Sequence, residues 1–308
     1  MNKIKTNLKK EKVVVTGGAG FIGSHVVDGL IGKGFDVHVI DNLSGGKKEN
    51  INDKSTFHEV DIRDLDAIMP IVSGSKYVFH LAALPRVQYS IENPLETNEV
   101  NVKGTLNILV SSKEGGVERV IYSGSSSAYG DQEIMPLRED MLANPLSPYG
   151  LQKYIGELSC KTWSDVYNLE TVSLRYFNAY GPRQDPDGAY ALVIGKFLKQ
   201  KDMDEKITIT GDGEQTRDFT YVGDVARANI LASESEYVGN GEVINIGAGN
   251  NASINTVAKL IGGPIVYVEA RLEPKHTLAD ISKAKKLLGW EPEVSLEEGL
   301  KLTIDYDN

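Results

Sequence analysis

Tyr149 and Lys153 stand four residues apart in SPYGLQKY, a spacing that places both side chains on one face of a helix. A phenol with a pKa near 10 is a poor base at neutral pH. An ammonium beside it stabilises the phenolate and lowers that pKa, so the pair could act as a base toward a hydroxyl. YxxxK is common by chance, and position gives this one weight. It follows a β-branched run that ends in Ser123-Gly124-Ser125-Ser126-Ser127. A hydroxyl at the carboxyl end of a strand points into the crevice where open α/β sheets bind their ligands. Ser125 could hydrogen-bond a reacting oxygen there and share its proton with Tyr149. The alternative for the serine run is a solvated turn.

A second constellation lies near the start of the chain. Thr16-Gly17-Gly18-Ala19-Gly20-Phe21-Ile22-Gly23 follows the strand-like run Val13-Val14-Val15 and opens a segment with helical apolar spacing, Ile22, Val26, Val27, Leu30 and Ile31. It holds both GxxGxxG and GxGxxG. The early glycines permit a tight turn and close approach of backbone to a pyrophosphate, and the last permits close helix–strand packing. The helix N-terminus adds N–H groups and positive dipole. Asp41 ends the next strand about 20 residues on, where an acid accepts the ribose hydroxyls and repels a 2′-phosphate. NAD is therefore favoured over NADP, and an oxidised nicotinamide would add a second positive charge near Tyr149. Asp61 ends the third strand where the adenine edge would lie, or is an ordinary strand-end acid.

These groups need a scaffold, and the chain supplies a pattern for one. Short apolar runs at Val37–Ile40, Thr56–Val60, Tyr77–Leu81, Val120–Tyr122 and Thr171–Leu174 alternate with helical segments, including about 95–112 and 148–166. Strand and helix in succession give a parallel sheet with helices on both faces. After Arg175 the pattern loosens. NAYGPRQDPDGAY reads as a loop. A helix near 194–199, a strand at 207–210, a helix near 222–233, a strand at 243–246, a helix from Ile254, a strand at 265–268 and two short terminal helices follow. The fold class is α/β: a Rossmann doubly wound parallel sheet with a smaller α/β C-terminal substrate domain. The expected division is 1–176 with about 215–247 for NAD, and about 177–214 with 248–308 for the substrate.

The chain has 308 residues, 41% hydrophobic and 25% charged, with a formal net charge of −10. That balance argues against a nucleic-acid scaffold, which would show a basic face, but not against an anionic small ligand held by arginines and backbone N–H groups. No apolar run approaches the ~20 residues of a membrane span. A single cysteine, Cys160, excludes an intrachain disulfide and suits a reducing, cytoplasmic setting. The first twelve residues carry five lysines and read as a solvated, partly disordered tail rather than a secretory signal. The five histidines make no ligand spacing with Cys160 or each other, and no metal is expected.

TGGAGFIG, the serine-rich strand end and YxxxK together resemble the extended short-chain dehydrogenase/reductase family, from about Lys12 to the C-terminus. LRYFNAYGPRQDPDGAYALVI, GDGEQTRDFTYVGD and KHTLADISKAKKLLGW look like its nucleotide-sugar 4-epimerases, those acting on UDP-N-acetylglucosamine above all. The resemblance implies that Ser125, Tyr149 and Lys153 are catalytic. It implies that NAD meets Gly17, Gly20, Phe21, Ile22, Gly23, Asp41, Asn42, Asp61, Ile62, Leu81, Ala82, Ala83, Asn101, Tyr149, Lys153 and Tyr176. The UDP-sugar would meet Ser125, Ser126, Tyr149, Asn178, Arg217, Arg271 and Thr277. Arg271 lies one residue closer to HTLADIS than in the family pattern, and its alternative is a surface arginine. Thr277 stands where enzymes restricted to plain glucose and galactose carry a bulky aromatic; it would leave room for a 2-acetamido group, or merely pack.

The resemblance also implies a mechanism. Tyr149 takes the proton from sugar O4 while C4 gives hydride to NAD, and the 4-keto sugar turns before hydride returns to its other face. A homodimer is implied too, built by pairing the helices near 95–112 and 148–166. Sugar-nucleotide dehydratases and decarboxylases carry an acid after the catalytic hydroxyl, where this chain has Ser126 and Ser127. UDP-glucuronate 4-epimerases need the same three residues. A non-catalytic NAD-binding protein of this fold would commonly have lost the Tyr or the Lys.

Overall fold

The computed structural model describes residues 10–186, 192–270 and 275–307. The N-terminal tail through residue 9 lies outside them, and so does Arg271. β1 (Lys12–Thr16), β2 (Asp36–Asp41), β3 (Thr56–Glu59), β4 (Tyr77–His80), β5 (Arg119–Ser125) and β6 (Glu170–Tyr176) form one sheet with the strand Asn240–Ile246. All seven strands run parallel, in the order Asn240–Ile246, β6, β5, β4, β1, β2, β3.

Such a sheet is buried on both faces, which is why its strands read as continuous β-branched runs. Alternate residues divide between two cores. Val13, Val15, Phe79 and Ile121 join one cluster with Val26, Val27 and Leu30 of the helix Phe21–Gly32. Val14, Val78, Val120 and Tyr122 face a second cluster with Ile68, Ile108 and Cys160. The helices Phe21–Gly32 and Val222–Glu234 press together where a Cβ on Gly29 would stand 2.6 Å from Ile230 Cδ1. The strand order reverses between β1 and β4, and the crevice that opens there at the carboxyl ends is the binding position of such folds.

A third core belongs to the second half of the chain. Tyr180, Ile194, Phe197, Ile207, Ile209, Phe219, Ile254, Val257 and Leu300 gather beside a small parallel sheet of Ile207–Thr210 and Ile265–Val268. Asp224 ties this part to the terminal segment by accepting from the Glu293 and Val294 amides, while Trp290 Nε1 donates to the Asp224 carbonyl.

Some elements differ from expectation, among them the short strand Ala179–Tyr180 inside the segment read as a loop. The helix expected over 95–112 is three consecutive pieces, Pro94–Asn98, a π-helical stretch Glu99–Gly104, and Thr105–Glu114. The wide turn sits where Asn101 points inward, and a local π segment of this kind re-aims a side chain without ending the helix. The helix between β3 and β4 is Leu65–Val72, and it carries Pro70 inside it. Asp64 nucleates it by accepting from the Ala67 amide at 3.1 Å. No helix among the described residues is long and apolar enough to cross a membrane.

Candidate active site

β1 delivers the chain into the glycine loop, and each glycine there has a steric reason. Gly17 has φ +71°, and a Cβ on it would stand 2.7 Å from the Ala82 nitrogen after β4. A Cβ on Gly23 would stand 2.1 Å from the Gly17 carbonyl oxygen. Gly20 is the N-cap of the helix Phe21–Gly32, and no side chain caps that end. The first-turn amides, Phe21 and Ile22 among them, are thus left for an anion.

The strand ends beside the loop carry the other cofactor candidates. Asp41 Oδ2 accepts from the Ala19 amide at 3.0 Å and Oδ1 from the Leu43 amide at 2.8 Å; burial raises its pKa above the usual carboxylate value. Asn42 Nδ2 donates to Asp61 at 2.9 Å, and Arg63 forks onto the same carboxylate, holding it down to about 2. Ile62 is buried next to it. Leu81 and Ala82 donate to the carbonyl and hydroxyl oxygens of Thr16, and Ala83 follows. Asn101 accepts from the Leu84 amide at 2.8 Å and donates to the Leu84 carbonyl and to Gln152, so its amide fixes the course of the loop after β4. Tyr176, at the end of β6, donates to Asn229 at 2.8 Å. The glycine cradle that no side chain could enter, the uncapped helix end and the buried acid at the end of β2 fit a dinucleotide.

The helix Pro148–Tyr167 brings Tyr149 and Lys153 to the end of β5. Ser147 caps it by accepting from the Gly150 amide at 3.1 Å, with Pro148 in the first turn. Two glycines set its approach. A Cβ on Gly150 would stand 2.7 Å from the Ser127 carbonyl oxygen, and one on Gly156 would stand 2.1 Å from the Tyr122 hydroxyl. Lys153 Nζ donates to the Ser123 carbonyl at 2.8 Å and lies 5.1 Å from the centre of the Tyr122 ring. The Ser125 hydroxyl donates to Ser127 at 3.0 Å and accepts from the Ser127 amide.

Tyr149 is nearly fully buried. Burial pushes its phenol up to about 12, and interaction with the Ser125 hydroxyl acts the other way. Burial pushes Lys153 down to about 8, against the attraction of Glu157. His80 is one of the five histidines that show no ligand spacing in the sequence. It bridges the Thr16 and Thr105 hydroxyls at 2.8 and 3.0 Å, and burial pushes it down to about 3, so it stays neutral behind the site.

The proposed substrate contacts form a third group. Asn178, with a positive φ of 28°, donates to the Asp218 carbonyl at 3.2 Å and to the Thr277 hydroxyl at 3.4 Å. The Thr277 hydroxyl also accepts from the Asp218 amide at 3.3 Å. Arg217 donates to the Thr216 carbonyl at 2.9 Å, so Asn178, Arg217 and Thr277 meet around one short segment. Ser126 is half-buried in the turn after Ser125. Asp218, not singled out from the sequence, holds this group together. Its carboxylate accepts from the Ala248, Gly249 and Ala279 amides, and burial raises it to about 6.

Comparison with known proteins places the chain in a family. The NAD dependent epimerase/dehydratase family matches residues 13–247. The chain belongs to that family. It is an NAD-dependent enzyme, and its sheet is the Rossmann sheet of these epimerases. A putative UDP-glucose 4-epimerase of Methanocaldococcus jannaschii is 42% identical over 96% of this chain and 97% of its own length. The crystal structure of Thermotoga maritima UDP-glucose 4-epimerase with UDP-glucose superposes with a TM-score of 0.92 at 43% identity, covering 96% of this chain and 98% of that one. The UDP-N-acetylglucosamine 4-epimerase of Methanobrevibacter ruminantium, in complex with UDP-N-acetylmuramic acid, gives 0.92 at 41% identity, covering 97% and 99%.

Proposed function

We propose that the protein is an isomerase that inverts C4 of a UDP-hexose through a 4-keto intermediate, with UDP-GlcNAc and UDP-GalNAc as its preferred pair. The observation that carries the reaction is the convergence of Ser125, Tyr149 and Lys153 at the end of β5, in the same sheet whose β1 leads into the glycine loop. NAD held at the glycine loop and the end of β2 would supply reversible hydride acceptance at the sugar carbon, so no net oxidation would occur. Tyr149 removes the proton from O4 and gives it back to the other epimer. Ser125 orients that oxygen, and Lys153 holds positive charge near the phenolate. Asn178 and Arg217 bind the diphosphate, for which guanidinium geometry is suited. The part formed by 1–176 and about 215–247 carries the cofactor, and the remainder carries the sugar nucleotide.

The N-acetyl preference rests on Thr277. Its hydroxyl is engaged by Asn178 and by the Asp218 amide, leaving a methyl group where an aromatic ring would narrow the site. The likeness to a UDP-N-acetylglucosamine 4-epimerase supports the same reading. A UDP-glucuronate 4-epimerase would use the same three catalytic residues. Purified protein incubated with UDP-GlcNAc, UDP-glucose and UDP-glucuronate, with product identification by chromatography, separates these readings. Conversion of UDP-GlcNAc to UDP-GalNAc at the highest kcat/KM is expected; turnover of the uronate alone would overturn the preference.

A homodimer through the helices near 95–112 and 148–166 suits the exposed apolar side chains Leu95, Leu151, Leu158 and Val166. The lone, buried Cys160 suits a cytoplasmic setting.

A further inference from the structure

One helical turn beyond Lys153, Glu157 is buried with Arg175 in a forked ion pair. Arg175 Nε donates to Oε1 at 2.9 Å and Nη2 donates to Oε2 at 2.7 Å, with side chains 3% and 2% exposed. The guanidinium also lies 4.4 Å from the centre of the Tyr129 ring. Buried ion pairs are poor stabilisers, since apolar residues of similar volume commonly replace them without loss. The position of this pair points to another role. A Cβ on Gly124 would stand 3.0 Å from Glu157 Oε1. Gly124 lies between Ser123, whose carbonyl takes the Lys153 ammonium, and Ser125. The carboxylate therefore backs the strand end to which the ammonium is tied.

We propose that Glu157, clamped by Arg175, is a positioning residue that keeps Lys153 in its charged form at the end of β5. The proposal rests on the assignment of Lys153 to the reaction. Other titratable groups around the ammonium do not serve the purpose. Tyr149 and Cys160 share its helix, and the Tyr122 ring lies under it from β5. His80 on β4 stays neutral, and Tyr176 on β6 bonds Asn229. Glu157 is the one carboxylate acting on Lys153 among the described residues, and without Arg175 its burial would favour the neutral acid.

The test uses the NAD-loaded enzyme and two variants, Glu157→Gln and the apolar double replacement E157M/R175M, which removes the charges without leaving one unpaired. Nitrogen-15 NMR of labelled lysine, with the signal assigned by its loss in Lys153→Met, follows the ammonium directly. In Glu157→Gln, which removes the anion and leaves the Arg175 cation, Lys153 should titrate at lower pH by on the order of one unit, and in the double variant, where both charges go, it should shift the same way by less. The alkaline limb of the kcat–pH profile should move with it, while KM for the UDP-sugar stays unchanged. A loss of thermal stability with the Lys153 titration and the alkaline limb in place would overturn the proposal. Should Glu157→Gln fail to fold, the double variant decides. Tyr149→Phe separates the two levels: an active Tyr149→Phe enzyme would sink the base assignment, whereas an inactive one with an unmoved Lys153 titration in the Glu157 variants would sink only the role of Glu157.

Discussion

Lys153 Nζ is hydrogen-bonded to the carbonyl oxygen of Ser123, two residues before Ser125 on the same strand. The ammonium is thereby anchored to backbone at the point where the serine hydroxyl leaves the sheet, and its charge is delivered to one place. As the proposed base, Tyr149, one turn earlier on the helix, would need that charge, because burial pushes its phenol up to about 12 even against the Ser125 hydroxyl.

Tyr149→Phe and Lys153→Met should each reduce turnover by about 10²–10⁴-fold, the range of a lost acid–base catalyst. UDP-sugar binding, followed by calorimetry, should survive both. Near-normal turnover in either variant would remove that residue from the mechanism.

The anchored lysine gives activity and stability opposite pH dependences. Burial lowers Lys153 from 10.5 to about 8, so its charge is present below about 8 and is lost above it. Turnover should fall as pH rises through that value. Stability goes the other way: between about 8 and 10.5 the unfolded chain binds the proton that the folded chain has released, so the contribution of Lys153 to folding improves as pH rises. Lys153→Met should therefore gain most over the parent in denaturant melts at or below pH 8, and that gain should shrink toward pH 10.5. Parallel stability curves for the two proteins across that range would contradict the assignment.

What the sequence disclosed follows from how local each signal is. The buried parallel strands announce themselves as β-branched runs, and TGGAGFIG and YxxxK are contiguous motifs whose partners lie within one turn. The π-helical stretch around Asn101 has no periodic signature of its own. Asp218 was invisible for a different reason: its amide partners Ala248, Gly249 and Ala279 lie 30 to 61 residues away. Glu157 and Arg175 likewise sit on a helix and a strand that only the fold brings together. Spacing reveals chemistry within an element, and folding alone reveals charges that meet between elements.

Gly23→Ala tests the cradle. Its Cβ would fall 2.1 Å from the Gly17 carbonyl oxygen, a collision with backbone that cannot rotate away. Overpacking of this kind costs roughly 1–3 kcal/mol. It would also displace the loop from the pyrophosphate. The variant should purify with less bound NAD, measured after acid release, and full NAD content would refute the placement.

Asp218→Ala tests the group around the sugar nucleotide. Three amides, that of Ala279 buried and those of Ala248 and Gly249 partly so, lose their acceptor at once. Leaving buried donors unpaired should cost on the order of 3 kcal/mol of stability in denaturant melts. The larger functional effect should be on KM, because Asn178 and Thr277 are both bonded to the backbone of Asp218, while bound NAD and its redox state are unaffected. A variant with unchanged KM would show that this hub does not order the substrate side.

Thr277→Tyr tests the sugar preference. The threonine hydroxyl accepts from Asn178 and from the Asp218 amide, so a ring at this position must both abandon those bonds and fill space. A misfit of a few heavy atoms in a closed pocket is worth roughly 10–200-fold in kcat/KM. The loss should fall on UDP-GlcNAc, whose acetamido group needs the room, and much less on UDP-glucose. The ratio of the two kcat/KM values is the measurement, because loss of the Asn178 contact lowers both together and cancels in the ratio. Equal loss for the two sugars would mean that Thr277 only packs, and that selection at C2 is made elsewhere.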